Sequence, residues 1–278
     1  MIELTIIGAS SGGAGPPPGG ACSCYLVRGP DATILLDCGP AALSRLPLHV
    51  APESIDAILL SHMHQDHVLD LMPYTRTLYK AGALTPGGPR VKLFSPPGGT
   101  TVLRTIAFAF AKPPEVLEGA AEETKKLSTA DLFSNLFDLD EYDPDESLRF
   151  GGLDVSFVPM RHVGSAYGMR ITDGTSILAY TGDTGDCEGL DTLARDADIL
   201  LSEASLRDFD PDTSVRHGHL TPAEAGRVAS RSRVNRLLLT HMSRNDPDWQ
   251  VEMVGLASAE FSGTVEAVSP DDKFVIGE

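Results

Sequence analysis

The sequence predicts an α/β layered fold. Short apolar runs of strand length recur from one end of the chain to the other, and stretches of helical periodicity separate them. No apolar run reaches the roughly 18 residues that a membrane-spanning helix needs. A chain of 278 residues can bury a substantial core in one large domain or two small ones, and the unbroken interleaving favours one. Hydrophobic residues at 42% and charged residues at 22% are ordinary globular proportions.

The elements follow in order. Residues 4–7, 25–27, 33–36 and 57–60 read as buried strands. Residues 66–80 read as a helix, 91–94 as a strand, and 100–111 as a helix that stops before Pro113 and Pro114. Residues 115–147 differ from their surroundings. They are charged, then strongly acidic, and are expected to form a partly exposed insertion with a helix near 127–137, serving as a lid or a solvated connector. Strands resume at 155–158, 167–171, 177–180 and 199–201. A helix over 221–230 carries its own start signals: Thr221 as cap, Pro222 in the first turn and Glu224 three residues after the cap. A strand at 236–239 and a helix at 249–261 complete the pattern.

The net charge of −17 repels nucleic acid and offers no basic footprint, although a metal site can supply local positive charge for a phosphate. Four cysteines in a chain this long make no disulfide framework. Cys22 and Cys24 read as small residues of a packed strand, and a cytoplasmic location is expected. The first residues are too short and too acidic for a signal peptide, and no membrane association is expected. The glycine-rich loop at 8–20 lacks the Gly-Lys-Ser/Thr of a P-loop. His49, between Leu48 and Val50, reads as structural.

The strongest signal is Ser61-His62-Met63-His64-Gln65-Asp66-His67, directly after an apolar strand. Several adjacent imidazoles are poor core material, whereas imidazole and carboxylate are what divalent transition metals bind. His162, Asp183 in Gly182-Asp183-Thr184-Gly185, and His241 each follow a strand in the same way. Strand ends meeting along one edge of a layered fold make the usual α/β site, and Gly182 and Gly185 let the backbone turn tightly there.

With these motifs the chain resembles the metallo-β-lactamase superfamily, and more narrowly its ribonuclease Z-like branch. Ser202-Glu203-Ala204-Ser205, His219-Leu220-Thr221 and Leu239-Thr240-His241 add to the resemblance, which runs from residue 1 to about 270. It implies an αββα four-layer sandwich with two divalent metal ions, zinc first and manganese as the alternative. His62, His64 and His162 would hold the first ion. Asp66, His67 and His241 would hold the second, and Asp183 would bridge. Such a site keeps about one positive charge after two aspartates and a bridging hydroxide, which suits an anionic phosphodiester. The resemblance also implies attack by that hydroxide on phosphorus. Asp66, His219 and Glu203 would form the catalytic set, with His219 giving the leaving alkoxide its proton and Glu203 orienting it. His217 is the alternative donor. Ser165 and Tyr167 match positions that contact substrate phosphate.

Ribonuclease Z proper carries a long tRNA-clamping arm between the second His motif and Gly-Asp-Thr. Here only 21 positions separate His162 from Asp183, so tRNA is not the expected partner. The remaining pattern resembles a bacterial group of atypical 3′,5′-cyclic-AMP phosphodiesterases, and a homodimer is expected by that analogy. The expected reaction is hydrolysis of 3′,5′-cyclic AMP to 5′-AMP. The alternatives are a ribonuclease Z-type tRNA 3′ endonuclease, a hydrolase of β-lactams, lactones or sulfate esters on the same scaffold, and a non-catalytic metal-bound protein.

Overall fold

A computed structural model describes residues 1–12, 20–111, 118–126, 131–244 and 246–277. The first sheet holds β1 (Ile2–Gly8), β2 (Cys24–Arg28), β3 (Thr33–Leu36), β4 (Ala57–Leu59), β5 (Val91–Ser95) and β6 (Phe137–Glu141). The second holds β7 (Leu148–Phe150), β8 (Leu153–Pro159), β9 (Tyr167–Thr172), β10 (Ile177–Tyr180), β11 (Ile199–Glu203), β12 (Arg236–Thr240) and β13 (Thr264–Ala267). The last strand, β14 (Lys273–Ile276), returns to the first sheet and pairs antiparallel with β1, Ile2 opposite Ile276. The spatial orders are β14-β1-β2-β3-β4-β5-β6 and β13-β12-β11-β10-β9-β8-β7, and both sheets are mixed.

Three apolar layers fix the stacking. Alternate residues of the two sheets meet in the middle: Leu4, Ile6, Val27, Ile34 and Leu59 from one face Val155, Ile171, Leu178 and Leu201 from the other. The opposite face of the first sheet packs on α1 (Ala42–Arg45), α3 (Leu71–Lys80), α4 (Gly99–Ala109) and α6 (Leu132–Leu136). The outer face of the second packs on α7 (Glu188–Ala194), α8 (Pro222–Arg231) and α9 (Pro247–Ser258). Strands such as β4 and β11 are buried on both faces, so they read as unbroken apolar runs rather than as alternation. This is the αββα sandwich.

The helix expected over 66–80 is two helices, α2 (Gln65–Val68) and α3. Pro73 is the reason. It lacks an N–H, and its ring would strike the carbonyl four residues back, at Leu69, so the helix must restart and place Pro73 in its first turn. The expected cap of α8 is present in full. Thr221 accepts from the Glu224 N–H, and the Glu224 carboxylate accepts from the Thr221 N–H.

The acidic segment departs from an exposed insertion over its second half. Phe133, Leu136, Phe137 and Tyr142 are buried, and β6 pairs parallel with β5 from Phe137 opposite Val91 to Glu141 opposite Ser95. Phe137 and Leu139 turn inward while Asp138 and Asp140 stay in solvent, which is strand alternation written in acidic residues. Glu141 accepts from the N–H groups of Gly98 and Thr100, at the start of α4. The short helix α5 (Glu122–Lys126) lies in the first half of the segment. Residues 115–117 and 127–130 of the expected insertion lie outside the described residues. No helix among the described residues is long and apolar enough to cross a membrane.

Candidate metal centre and acid–base pair

Strand direction brings the candidate residues together. β1, β3, β4 and β5 run one way in the first sheet, and β8, β10, β11 and β12 share one direction in the second. The segment after β4 carries His62, His64, Asp66 and His67. The segments after β8, β10 and β12 carry His162, Asp183 and His241. Seven residues from four places in the chain thus meet at one edge of the sandwich.

They form two clusters. His62, His64, His162 and Asp183 make one; Asp66, His67, Asp183 and His241 make the other. Within each, the donor atoms all lie within 4.8 Å of one another. Asp183 belongs to both: its Oδ2 is 3.7 Å from His62 Nε2 and 3.8 Å from His162 Nε2, and its Oδ1 is 3.3 Å from His67 Nε2.

The hydrogen bonds behind the imidazoles decide which nitrogens face inward. His162 Nδ1 donates to the Gly218 carbonyl at 2.9 Å, so its Nε2 lone pair faces His64 Nδ1, 3.0 Å away. His67 Nδ1 donates to Asp37 Oδ2 at 2.7 Å and presents Nε2 to His241 Nε2, 3.3 Å away. His241 Nε2 also lies 3.0 Å from Asp66 Oδ2. Nitrogen lone pairs aimed at one another repel unless a proton or a cation lies between them. His62 Nε2 and Asp183 Oδ1 are buried without a hydrogen-bond partner among the described residues, an arrangement that costs energy in a protein interior. Orphaned acceptors, opposed lone pairs and shared carboxylates are what a divalent cation satisfies, so the donor set fits metal ions.

The protein's own charges agree. Burial, followed by the neighbouring His67, holds His62 well below the ordinary histidine range, so it stays a neutral donor. Burial also lowers His64 and His162. Burial opposes ionisation of Asp66 and Asp183, yet contact with His241 and His67 keeps both carboxyls below their usual range. His67 is the exception: burial opposes its protonation, but Asp183 and then Asp37 push it up, so in the metal-free protein these carboxylates favour a proton where a cation would otherwise sit.

Asp37 is a site residue that sequence reading did not single out. It follows β3, is fully buried, and accepts from Ser61 N, Ser61 Oγ, His67 Nδ1 and Tyr180 OH, all within 2.7 Å. Its backbone φ of 57°, like that of His241 at 54°, lies in the left-handed region that side chains rarely occupy. Holding both there requires the surrounding contacts to over-determine them. Two glycines hem in Asp66: the Gly12 N–H donates to its Oδ2 at 2.7 Å, and a Cβ on Gly39 would lie 1.9 Å from its carbonyl oxygen.

Beside the clusters stands a second device. His219 Nδ1 donates to Glu203 Oε1 at 3.0 Å, and Glu203, at the end of β11, is buried and also accepts from Thr184 N at 2.7 Å. Burial opposes protonation of His219, but the Glu203 carboxylate pushes its pKa up to about 9. His219 lines a pocket of about 620 Å³ with Ser11, Met63, Gln65, Ser205 and Leu206, above Asp66, Asp183 and His241. His217 is exposed at the end of a π-helical turn (Pro211–Gly218) and is not among the described lining residues, so of the two candidate donors it is His219 that faces the clusters. Ser165 and Tyr167 are not among the described lining residues either. Tyr167 sits edge-on to Tyr142, against the layer between the sheets, and Ser165 lies exposed in the turn before β9. His49, read as structural, pairs with Asp271 through Nε2 at 2.8 Å. The described cysteines are free thiols, and Cys22, Cys24 and Cys38 are buried.

Comparison with known proteins agrees with this geometry. Residues 32–242 match the family described as beta-lactamase superfamily domain. The chain is 35% identical to an uncharacterized protein of Mycobacterium leprae, ML1173, over 99% of this chain and 89% of that one. It is 30% identical to the probable metallo-hydrolase YhfI of Bacillus subtilis over 87% of each chain, and 29% identical to a ribonuclease Z of Mycobacterium bovis over 96% and 95%. Among solved structures, YhfI superposes with a TM-score of 0.80 at 26% identity over 98% of both chains. A diphosphatase of the PhnP family shares the fold at a TM-score of 0.69 and 19% identity, over 99% of this chain and 98% of that one.

Proposed function

The chain belongs to the metallo-β-lactamase superfamily and is a metal-dependent hydrolase, and from that premise we propose that it hydrolyses a small phosphodiester, 3′,5′-cyclic AMP, to 5′-AMP. The observation that carries the reading is the shared Asp183 between two donor clusters, with the His219–Glu203 pair facing them across one small pocket. His62, His64 and His162 would hold one ion, Asp66, His67 and His241 another, with Asp183 between. The imidazole-rich donors favour zinc, with manganese the alternative. Bound there, the ions would supply Lewis-acid polarisation of phosphoryl oxygens and lower the pKa of a coordinated water.

The chain's own residues supply the rest. His67 is oriented by Asp37 and His162 by the Gly218 carbonyl, so both keep the donor tautomer without reorganisation. His219 keeps its proton at neutral pH because Glu203 stabilises the imidazolium, and its Nε2 is free to protonate a departing alkoxide. Among the described residues the pocket lining contains no lysine or arginine, which suits one phosphate held at the donor clusters better than a polyanion track. Its volume suits a nucleotide-sized ligand. Likeness to a ribonuclease Z supports phosphodiester chemistry, while the link from His162 to Asp183, filled by a bare hairpin of β9 and β10, argues against that enzyme's tRNA clamp. The organisation proposed is one metallo-β-lactamase-fold domain over 1–278.

The test supplies metal-loaded protein with cyclic AMP and precursor tRNA under matched conditions, at low and moderate salt. The expected product is 5′-AMP, with much weaker cleavage of the tRNA. Efficient cutting of precursor tRNA at its 3′ side, with cyclic AMP untouched, would reject the reading.

A further inference from the structure

Ser205 lies two residues past Glu203, 9% exposed, at a junction that neither the donor clusters nor the acid–base pair accounts for. Its Oγ is 2.5 Å from Glu203 Oε2, 2.9 Å from His241 Nδ1, 3.1 Å from the His241 carbonyl and 3.5 Å from His219 Nδ1. A hydroxyl has one proton to give and two lone pairs. The carboxylate can only accept, and it is the nearest partner, so Ser205 donates to Glu203. Its oxygen is then left to accept, and the group placed to donate is His241 Nδ1–H. We propose that Ser205 is a positioning residue that fixes the tautomer of His241 and ties it to the carboxylate that orients His219.

Two consequences follow from the proton count. With Nδ1 protonated, His241 must present a bare Nε2 toward Asp66 and His67, the form a metal ligand requires. Glu203 in turn is held from both sides: Oε1 accepts from Thr184 N and His219 Nδ1, and Oε2 accepts from Ser205. One buried carboxylate therefore anchors the proton donor directly and a metal-cluster histidine through one hydroxyl. The left-handed backbone of His241 places its Nδ1 at this oxygen, 2.9 Å away. The sequence hides the link, since Ser205 and His241 are 36 residues apart.

The inference rests on the proposed function only in treating His219 as the donor, so metal binding and turnover are read separately. Ser205→Ala, Ser205→Thr and Ser205→Val are compared with wild type. Zinc affinity of each is measured by competition with a chromophoric chelator, in the absence of substrate. Thr keeps the hydroxyl, and Val differs from Thr only in lacking it. The expected result is a loss of about 10–100-fold in affinity for one of two ions in the Ala and Val variants, with Thr close to wild type. Turnover is measured on cyclic AMP and on bis(p-nitrophenyl) phosphate, which reports the centre even if cyclic AMP is not the substrate. Ser205→Ala should lower kcat with little change in KM. Its cost should also shrink in a His219→Ala background, because the two act through one carboxylate. Equal zinc affinity in the Thr and Val variants overturns the proposal, as does additivity of Ser205→Ala with His219→Ala. The Thr and Val comparison stands alone if the Ala variant does not fold.

Discussion

Asp37→Asn separates hydrogen-bond logic from packing. The replacement keeps size and shape, and asparagine tolerates the φ of 57° at this position. Only the acceptor count changes. Asp37 Oδ1 serves Ser61 N, while Oδ2 serves Ser61 Oγ, Tyr180 OH and His67 Nδ1, so every neighbour is a donor. An amide must turn its NH2 toward one side. Facing Ser61 N, it leaves a buried N–H without an acceptor, which costs about 1–3 kcal/mol. Facing His67, it forces that imidazole to take its proton on Nε2, where the donor cluster needs a lone pair. Lost second-sphere support of this kind weakens metal binding by about 10–100-fold, or about 1.4–2.8 kcal/mol. Chelator competition measures the affinity, and thermal unfolding of the metal-free protein measures the stability. Wild-type affinity for both ions together with a wild-type Tm would refute the assignment of Asp37.

Three further outcomes are expected. His219→Ala should keep its metals yet lose about 10²–10⁴-fold in turnover of cyclic AMP; an equal loss on p-nitrophenyl diesters, whose leaving group needs no proton, would remove His219 from the donor role. Asp183→Ala should lower occupancy in both clusters by elemental analysis, since its carboxylate faces each of them; full occupancy would end its bridging assignment. Asp271→Asn should cost under about 1 kcal/mol at neutral pH, because the pair with His49 and Arg45 is half exposed. The His49 hydrogen bond, with Arg45 beside it, holds the Asp271 carboxyl below its usual range. Its contribution is therefore present above the unfolded-state value of about 3.9 and lost as pH falls through the lower folded value. Urea unfolding at pH 7 and pH 3 should show the difference between wild type and variant shrinking in acid.

The sequence alone determined what is local. Apolar runs gave most of the strands, and the capping box of α8 closes within four residues, so its signal and its partners are the same short segment. The residues of the two donor clusters were legible because their chemistry is costly: clustered imidazoles have no packing use, so they stand out as candidate ligands. The acidic alternation of β6 was written as plainly, but charge drew attention away from the inward Phe137 and Leu139. Pro73 likewise stated where the helix must restart.

Tertiary structure decided which nitrogen of each histidine faces the site. That choice belongs to partners far along the chain: Asp37 lies 30 residues from His67, Gly218 lies 56 from His162, and Ser205 lies 36 from His241. A residue whose only task is to accept a proton from a distant imidazole has no local pattern, because an aspartate or a serine after a strand is common in any sequence. Tyr167 is another case: its ring packs edge-on to Tyr142 beside the layer between the sheets, a neighbour 25 residues away that its own motif does not state. Donor identity is a property of residue type and can be read from letters; donor orientation is a property of hydrogen bonds that exist only once the two sheets have closed on each other.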